Sequence, residues 1–257
     1  MRISPFLPKL TLENQAAFLR GRSITDHILI CHEALHSFKK KKQKSGYLMV
    51  KTDLSKAFDQ VKWSFLLKAL LSFGLHPKVI SLIQGCITTT SFSIVINGRP
   101  TTPFSPGKGL RQGDPLSPTL FILCMEILSR AMTHLSSTNQ IQPYFIARFA
   151  PPLSHLFFAD DCLFFFKANI PSCVNFSKLL KLFSQESGQI VNYNKSCFIP
   201  SQNIPPRHLG LLQRFLKINL SNNLGKYLGV SHSDGHSSKP IFFHFLEKIS
   251  KMCYQLA

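Results

Sequence analysis

Aspartate is scarce in this chain, and its placement is uneven. Seven occur in 257 residues, at positions 26, 53, 59, 114, 160, 161 and 234. Five of the seven lie in three short patches: DLSKAFDQ (53–60), RQGDPLSP (111–118) and FADD (158–161). Asp160 and Asp161 are adjacent inside HLFFADDCLFFF (155–166), where burying charge among aromatic rings is costly without compensation. YLMVKTD (47–53) reads as a buried strand that ends on Asp53. If this strand pairs with the aromatic segment, three carboxylates meet at one sheet edge. Carboxylates that close raise each other's pKa unless a cation neutralises them. Hard divalent ions favour such oxygens, and Mg²⁺ typically uses one or two carboxylates together with substrate phosphates. Two ions about 3.5–4 Å apart can activate an attacking oxygen and stabilise a leaving one.

The elements that must position these residues follow from periodicity and punctuation. Apolar residues at Ile24, Ile28, Cys31, Leu35 and Phe38 predict an amphipathic helix over 24–38, with Ser23 and Asp26 as a loose capping box. KKKKQKSG (39–46) reads as a solvated loop, with a phosphate contact or a nuclear signal as alternatives. Helices are expected over 63–75, closed by Gly74, and from His76-Pro77 to about Thr89. SFSIVING (91–98) predicts a strand ending in an Asn-Gly turn, and 99–115 a loop. Ser117 before Pro118 predicts an N-cap and a helix to about 135. Residues 155–166 predict a hairpin with the acid pair at its tip. A helix over 172–186, a strand over 196–199, a helix over 206–216, a short strand at KYLGV (226–230) and a terminal helix complete the chain. Asp59 is expected to cap the helix after it, and Asp114 to shape the loop into Ser117. The order predicts an α+β fold, an antiparallel sheet with helices packed on one face.

The charge points to a partner. Lys and Arg number 30 against 12 Asp and Glu, a net charge of +18 and a pI near 9.9, which favours a polyanionic partner, nucleic acid or an acidic membrane surface, with a charge that only aids solubility as the alternative. No apolar run reaches the ~20 residues of a spanning helix, and prolines interrupt MRISPFLPKLTLENQ where a signal peptide needs its apolar centre. Seven cysteines, at 31, 86, 124, 162, 173, 197 and 253, follow no pattern and read as reduced thiols. An intracellular chain, nuclear or cytoplasmic, with no membrane partner is therefore expected. HEALH (32–36) matches the H-E-x-x-H zinc signature, yet no third ligand follows in a recognisable spacing, so chance on a helix is the better reading.

DLSKAFDQVKW (53–63), GLRQGDPLSPTLF (109–121), FADD (158–161), GQIVNYNKS (188–196) and KYLGV (226–230) stand in the order of the palm motifs of reverse transcriptases. The QGDPLSP wording most resembles the enzymes of LINE-type (non-LTR) retrotransposons, and ENQAAFLRGRSITDHILICHE (13–33) looks like the segment before their first palm strand. The resemblance runs from about residue 5 to 235. It implies a right-hand polymerase palm and RNA-directed DNA synthesis on an RNA template and DNA primer from deoxynucleoside triphosphates. It also implies two Mg²⁺ ions, with Mn²⁺ as an alternative. Asp53, Asp160 and Asp161 match the metal carboxylates; in the family the first aspartate and the first of the pair bridge the ions, which leaves Asp161 the weaker direct ligand. Phe58 matches the aromatic under the incoming sugar, where a ring excludes a 2′-hydroxyl. Gln112 and Gly113 match the loop beside the nascent base pair; Arg111 and Lys108 beside them read equally as contacts to template or nucleotide and as part of a solvated loop. Lys195 matches a basic residue near the departing pyrophosphate. Tyr227, Leu228 and Gly229 fall in the hairpin that grips the primer.

Two departures stand out. Phe158 replaces a tyrosine common in relatives, losing only a hydroxyl. The family's basic finger strands, its endonuclease and its full thumb are not seen in 257 residues, and are expected to be encoded elsewhere in the element. The expected division is a partial fingers segment (1–46), a palm (47–200), and a primer-grip hairpin with the start of a thumb (201–257). Without the fingers' cations, which position the triphosphate, the isolated chain is expected to polymerise weakly or not at all. The rival reading is a non-catalytic binder of RNA and DNA that descends from such a domain.

Overall fold

Three apolar stretches, around Val50, Phe165 and Phe198, pair side by side to form the middle of one sheet. The computed structural model describes residues 4–40, 45–147 and 149–232. The expected terminal helix and thumb start, and most of the lysine run, lie outside the described residues. The chain opens with a 3₁₀ turn (Ser4–Phe6), α1 (Leu7–Leu10) and α2 (Ile24–Lys40). Then come β1 (Tyr47–Thr52), α3 (Ala57–Gln60), α4 (Trp63–Ser72) and α5 (Pro77–Thr88). A small ribbon, β2 (Val95–Ile96) and β3 (Arg99–Pro100), leads to α6 (Ser117–Ser137) and the hairpin β4 (His155–Phe158) and β5 (Asp161–Lys167). The remainder is α7 (Ile170–Ser187), β6 (Cys197–Pro200), α8 (Pro206–Leu216), β7 (Asn219–Leu220) and a second hairpin, β8 (Gly225–Tyr227) and β9 (Val230–His232).

The sheet has five strands in the order β4-β5-β1-β6-β7, antiparallel except for the short parallel pairing of β7 on β6. Central β1 carries a continuous buried run, Leu48-Met49-Val50, because both faces of the sheet are covered. Leu48, Val50, Phe164, Phe166 and Phe198 join a core with Leu66, Leu120, Cys124, Phe176 and Phe183 of α4, α6 and α7. This is the expected helical layer. Met49, Leu163, Phe165 and Ile199, one position out of phase, pack instead with Cys31, Ala34, Leu35 and Phe38 of α2, and with Tyr144 and Tyr227. The second face is thus covered by α2 and by the hairpin β8–β9.

The segment before α2 is tied to this frame. Asn14 and Ala16 exchange backbone hydrogen bonds with Phe157, at 2.7 and 3.1 Å, along the outer edge of β4. The buried Glu126 of α6 accepts from the Leu12 N–H at 3.2 Å and from Arg130 Nε at 3.0 Å. Burial pushes the Glu126 carboxyl up, and these donors, with Arg22, hold it down.

Three local expectations change. The strand over 91–98 shrinks to Val95–Ile96, since it pairs only with β3 across the Asn97-Gly98 turn (φ 51 and 78°) and has no third strand to support it. Ser117 is the first helical residue rather than the cap; Leu116 holds the cap position without a side-chain bond, and Asp114 shapes the turn before it as expected, its carboxylate accepting the Leu116 N–H at 2.8 Å. Asp59 lies inside α3 and caps nothing; α4 is entered through Lys62 in extended backbone. Among the described residues, no helix is long and apolar enough to cross a membrane.

Candidate active site

The ladder between β1 and β5 sets the centre of the site. Thr52 pairs with Cys162, so the next position outward sets Asp53 opposite Asp161. Phe158 pairs with Asp161, which leaves Ala159 and Asp160 as the hairpin turn, with Ala159 in the left-handed region at φ 54°. Side chains alternate along a strand. Lys51 and Asp53 on one strand, and Asp161 on the other, therefore share the face of Met49 and Phe165. The aromatic run is buried, with Phe157, Phe164, Phe165 and Phe166 fully enclosed, but the register carries the acids past its end. Asp160 is exposed and Asp53 and Asp161 half-buried. The phenylalanines hold the hairpin rigid without enclosing its charge.

Electrostatics show how close the group is. Burial pushes the Asp161 carboxyl up; the Lys51 ammonium draws it down, and the charges of Asp160 and Asp53 push it up again. A cation at this edge would relieve that repulsion, and carboxylate oxygens suit Mg²⁺ or Mn²⁺. Among the described residues, no group of three or more His, Cys, Asp or Glu side chains stands ready to hold a metal ion. An ion that completes its shell with water and substrate phosphates does not require one. The donor chemistry fits.

The backbone around Asp53 is fastened from below. Its N–H donates to Ser196 Oγ at 3.1 Å, and its carbonyl accepts the Asn192 N–H at 2.8 Å. Ser196 Oγ in turn donates to the Asn192 carbonyl at 2.7 Å. Lys195, exposed, therefore stands on a loop sewn to the Asp53 backbone.

Beyond Asp53 the chain turns through Lys56 at φ 49° into α3, where the Phe58 ring stacks on Phe121 of α6, centroids 4.6 Å apart and planes 19° apart. The 109–113 loop is stitched to this element. Leu110 N–H donates to Phe58 O and Gly109 N–H to Val61 O, each at 2.8 Å, and the Trp63 indole donates to Gly109 O at 2.7 Å. Arg111, Gln112 and Gly113 are exposed at the loop's crest. The Gln112 amide reaches Asp59 at 3.4 Å, and the Arg111 guanidinium lies 5.9 Å from the Phe92 ring centre. An open cleft of about 520 Å³, walled by Asp59, Phe92, Phe104, Arg111, Gln112 and Asp114, runs beside the crest.

The hairpin β8–β9 turns at Leu228 and Gly229 (φ 49 and 82°). Tyr227 departs from its expected place on a strand-binding surface: it is 1% exposed and packs in the second core. Its phenol is pushed up by burial, then by Cys31, Asp161 and Cys162. Tyr227 seats the hairpin near the carboxylates, while Leu228 and Gly229 form its rim.

The structure thus brings Asp53, Asp160 and Asp161 to one edge, with Lys195 on the loop bonded to the Asp53 backbone, and joins Phe58 to the loop that carries Arg111, Gln112 and Gly113. His32 and His36 do lie on one helix, but they join no metal cluster among the described residues. Sequence reasoning missed Lys51, Asn192 and Ser196. A lysine two residues before Asp53, in an otherwise apolar strand, was the one available signal.

Comparison with known proteins agrees with this geometry. The family model described as reverse transcriptase (RNA-dependent DNA polymerase) matches residues 1–232. A Pol polyprotein from the type-1 retrotransposable element R2 of Popillia japonica is 29% identical over 205 residues, covering 77% of this chain and 33% of that protein. A 149 kDa protein of transposon TX1 from Xenopus laevis is 24% identical, covering 96% of this chain and 18% of its own length. The chain therefore spans a third or less of these two relatives. Among solved structures, telomerase from Candida tropicalis in complex with a fragment of telomeric RNA superposes with a TM-score of 0.59 at 14% identity, covering 90% of this chain and 35% of that one. Telomerase from Candida albicans, also with a telomeric RNA fragment, gives 0.58 at 12% identity over 80% of this chain and 34% of its own. These likenesses show the fold, a polymerase palm. With the family model spanning nearly all of the described sheet and its carboxylate edge, the chain belongs to the reverse transcriptase family.

Proposed function

We propose that this chain is the RNA-directed DNA polymerase core of a non-LTR retrotransposon, extending a DNA primer on an RNA template from deoxynucleoside triphosphates. The observation that carries the reading is the strand register that sets Asp53 opposite Asp161 beside a turn presenting Asp160. Divalent ions held by these three side chains would supply activation of the primer 3′-oxygen and stabilisation of the leaving pyrophosphate. The remaining contributions belong to the protein. Phe58, braced by Phe121, forms a shelf that leaves a deoxyribose room and excludes a 2′-hydroxyl. Lys195 offers a cation to the leaving pyrophosphate. Gly113 and Gln112 bound the nascent base pair, Arg111 contacts template or nucleotide, and Leu228 and Gly229 face the primer backbone. We assign residues 1–46 to the fingers side, 47–200 to the palm, and 201–257 to the primer grip and thumb start.

Primer extension on an RNA template, with Asp160→Ala as control, tests this. Extension, weak as expected of this chain alone, that requires Mg²⁺ or Mn²⁺ and disappears in Asp160→Ala supports the proposal. Tight binding of primed template with no extension, unchanged by Asp160→Ala, would establish a non-catalytic binder instead.

A further inference from the structure

Lys51 is a charged residue in the central strand of the sheet, and neither the metal carboxylates nor the primer hairpin accounts for it. It sits on β1 two residues before Asp53, about 6.8 Å along the strand and on the same face. It pairs across the ladder with Leu163 of β5 and with Cys197 of β6. Its side chain crosses from the sheet to the second hairpin, where Nζ donates to the Lys226 carbonyl at 2.5 Å. The next residue, Tyr227, is the one buried in the second core, and the turn Leu228-Gly229 follows at once. One ammonium thus joins the strand that carries Asp53 to the hairpin whose rim flanks the same edge.

We propose that Lys51 is a positioning residue for the primer terminus: its hydrogen bond to the Lys226 carbonyl fixes the height of the β8–β9 hairpin over the carboxylate edge. Its role in primer placement rests on the polymerase reading; its role as a tether does not. The tether is a single charge-assisted bond to a backbone carbonyl, which an apolar side chain of the same length cannot make. A guanidinium can make it. The nearby polar groups that share its surroundings are the Asp161 carboxylate and the thiols of Cys31 and Cys197, each of which feels its charge.

The test compares Lys51→Met, Lys51→Arg and the unchanged protein in two measurements. In amide hydrogen exchange, Lys51→Met is expected to speed exchange of residues 225–230 at least tenfold while β1 and β5 keep their protection, and Lys51→Arg to restore it. In fluorescence anisotropy without nucleotide, Lys51→Met is expected to weaken binding of a primed RNA template about tenfold, and of unprimed RNA two- to threefold at most. Unchanged exchange in the hairpin overturns the tether, whatever the protein's activity. Faster exchange with equal losses on primed and unprimed RNA overturns the role at the primer terminus. If Lys51→Met does not fold, as judged by circular dichroism, Lys51→Gln takes its place in both arms. Loss of the polymerase reading through Asp160→Ala would leave the exchange result standing, so the two failures are distinguishable.

Discussion

Gly109 and Gly113 sit four residues apart in one loop, both at positive φ (92 and 86°), and they should respond differently to substitution. A Cβ on Gly109 would stand 2.7 Å from the Asp59 carbonyl oxygen, whereas a Cβ on Gly113 would meet nothing within 4 Å. Gly109→Ala therefore combines backbone strain with a clash against backbone, and should cost about 3 kcal/mol by urea denaturation. Gly113→Ala carries the strain alone, about 1–2 kcal/mol, and should fold. Under the proposed function, in which the crest bounds the nascent base pair, its loss should appear instead in primer extension, at least tenfold. At this scale the sequence was most legible where residue types were rare. Scarce aspartates drew attention to the three carboxylates, and the structure sets them at one edge. Lys51 was hidden because a lysine in a strand looks like an interruption until the other end of its hydrogen bond is known. The burial of Tyr227 was hidden for the same reason: only tertiary packing decides which side of a short hairpin faces inward.

Where α6, β4 and α2 meet, His155 is enclosed, with Ser129 Oγ 2.7 Å from Nε2 and Ser154 Oγ 2.9 Å from Nδ1. Burial, then the nearby His27 of α2, push its pKa down to about 3. A histidine depressed in the folded state binds its proton more readily when unfolded. Its stabilising share is thus whole above pH 6.5 and is lost as pH falls from there toward 3. The difference between the protein and His155→Gln in urea stability should change by about 2 kcal/mol between pH 7 and pH 5. A difference flat with pH would show that the imidazole titrates normally. Elements with strong periodicity or firm punctuation were readable: α2, α5 and α8 begin and end within two residues of expectation, α2 through its apolar spacing and α5 and α8 through the prolines, Pro77 and Pro206, at their starts. Elements defined by partners were not. The ribbon β2–β3 kept its Asn-Gly turn yet lost most of its strand, and the caps expected of Ser117 and Asp59 did not form, because each residue lies inside a helix whose start the neighbouring backbone sets.

For the whole molecule, a net charge of +18 should dominate affinity for nucleic acid. If about four phosphates are neutralised, binding of primed template should fall roughly 10²-fold between 50 and 200 mM salt, with a log–log slope near −3.6. A slope near zero, measured by anisotropy, would remove the polyanion from the reading. Both faces of the sheet are occupied, one by α4, α6 and α7 and the other by α2 and the second hairpin, while the carboxylates stand past the strand ends, where the proposed template and primer would approach. The flank of β4 is closed in a different way. Its outward hydrogen bonds are taken by Asn14 and Ala16, a stretch that adds only an isolated bridge, Gln15 with Phe157, to the sheet. Removing the first two dozen residues would thus strip a protective border rather than a decorative tail. The uncovered strand, flanked by phenylalanines, would recruit the same strand from a neighbouring molecule, and such a shortened protein should self-associate before it loses its fold.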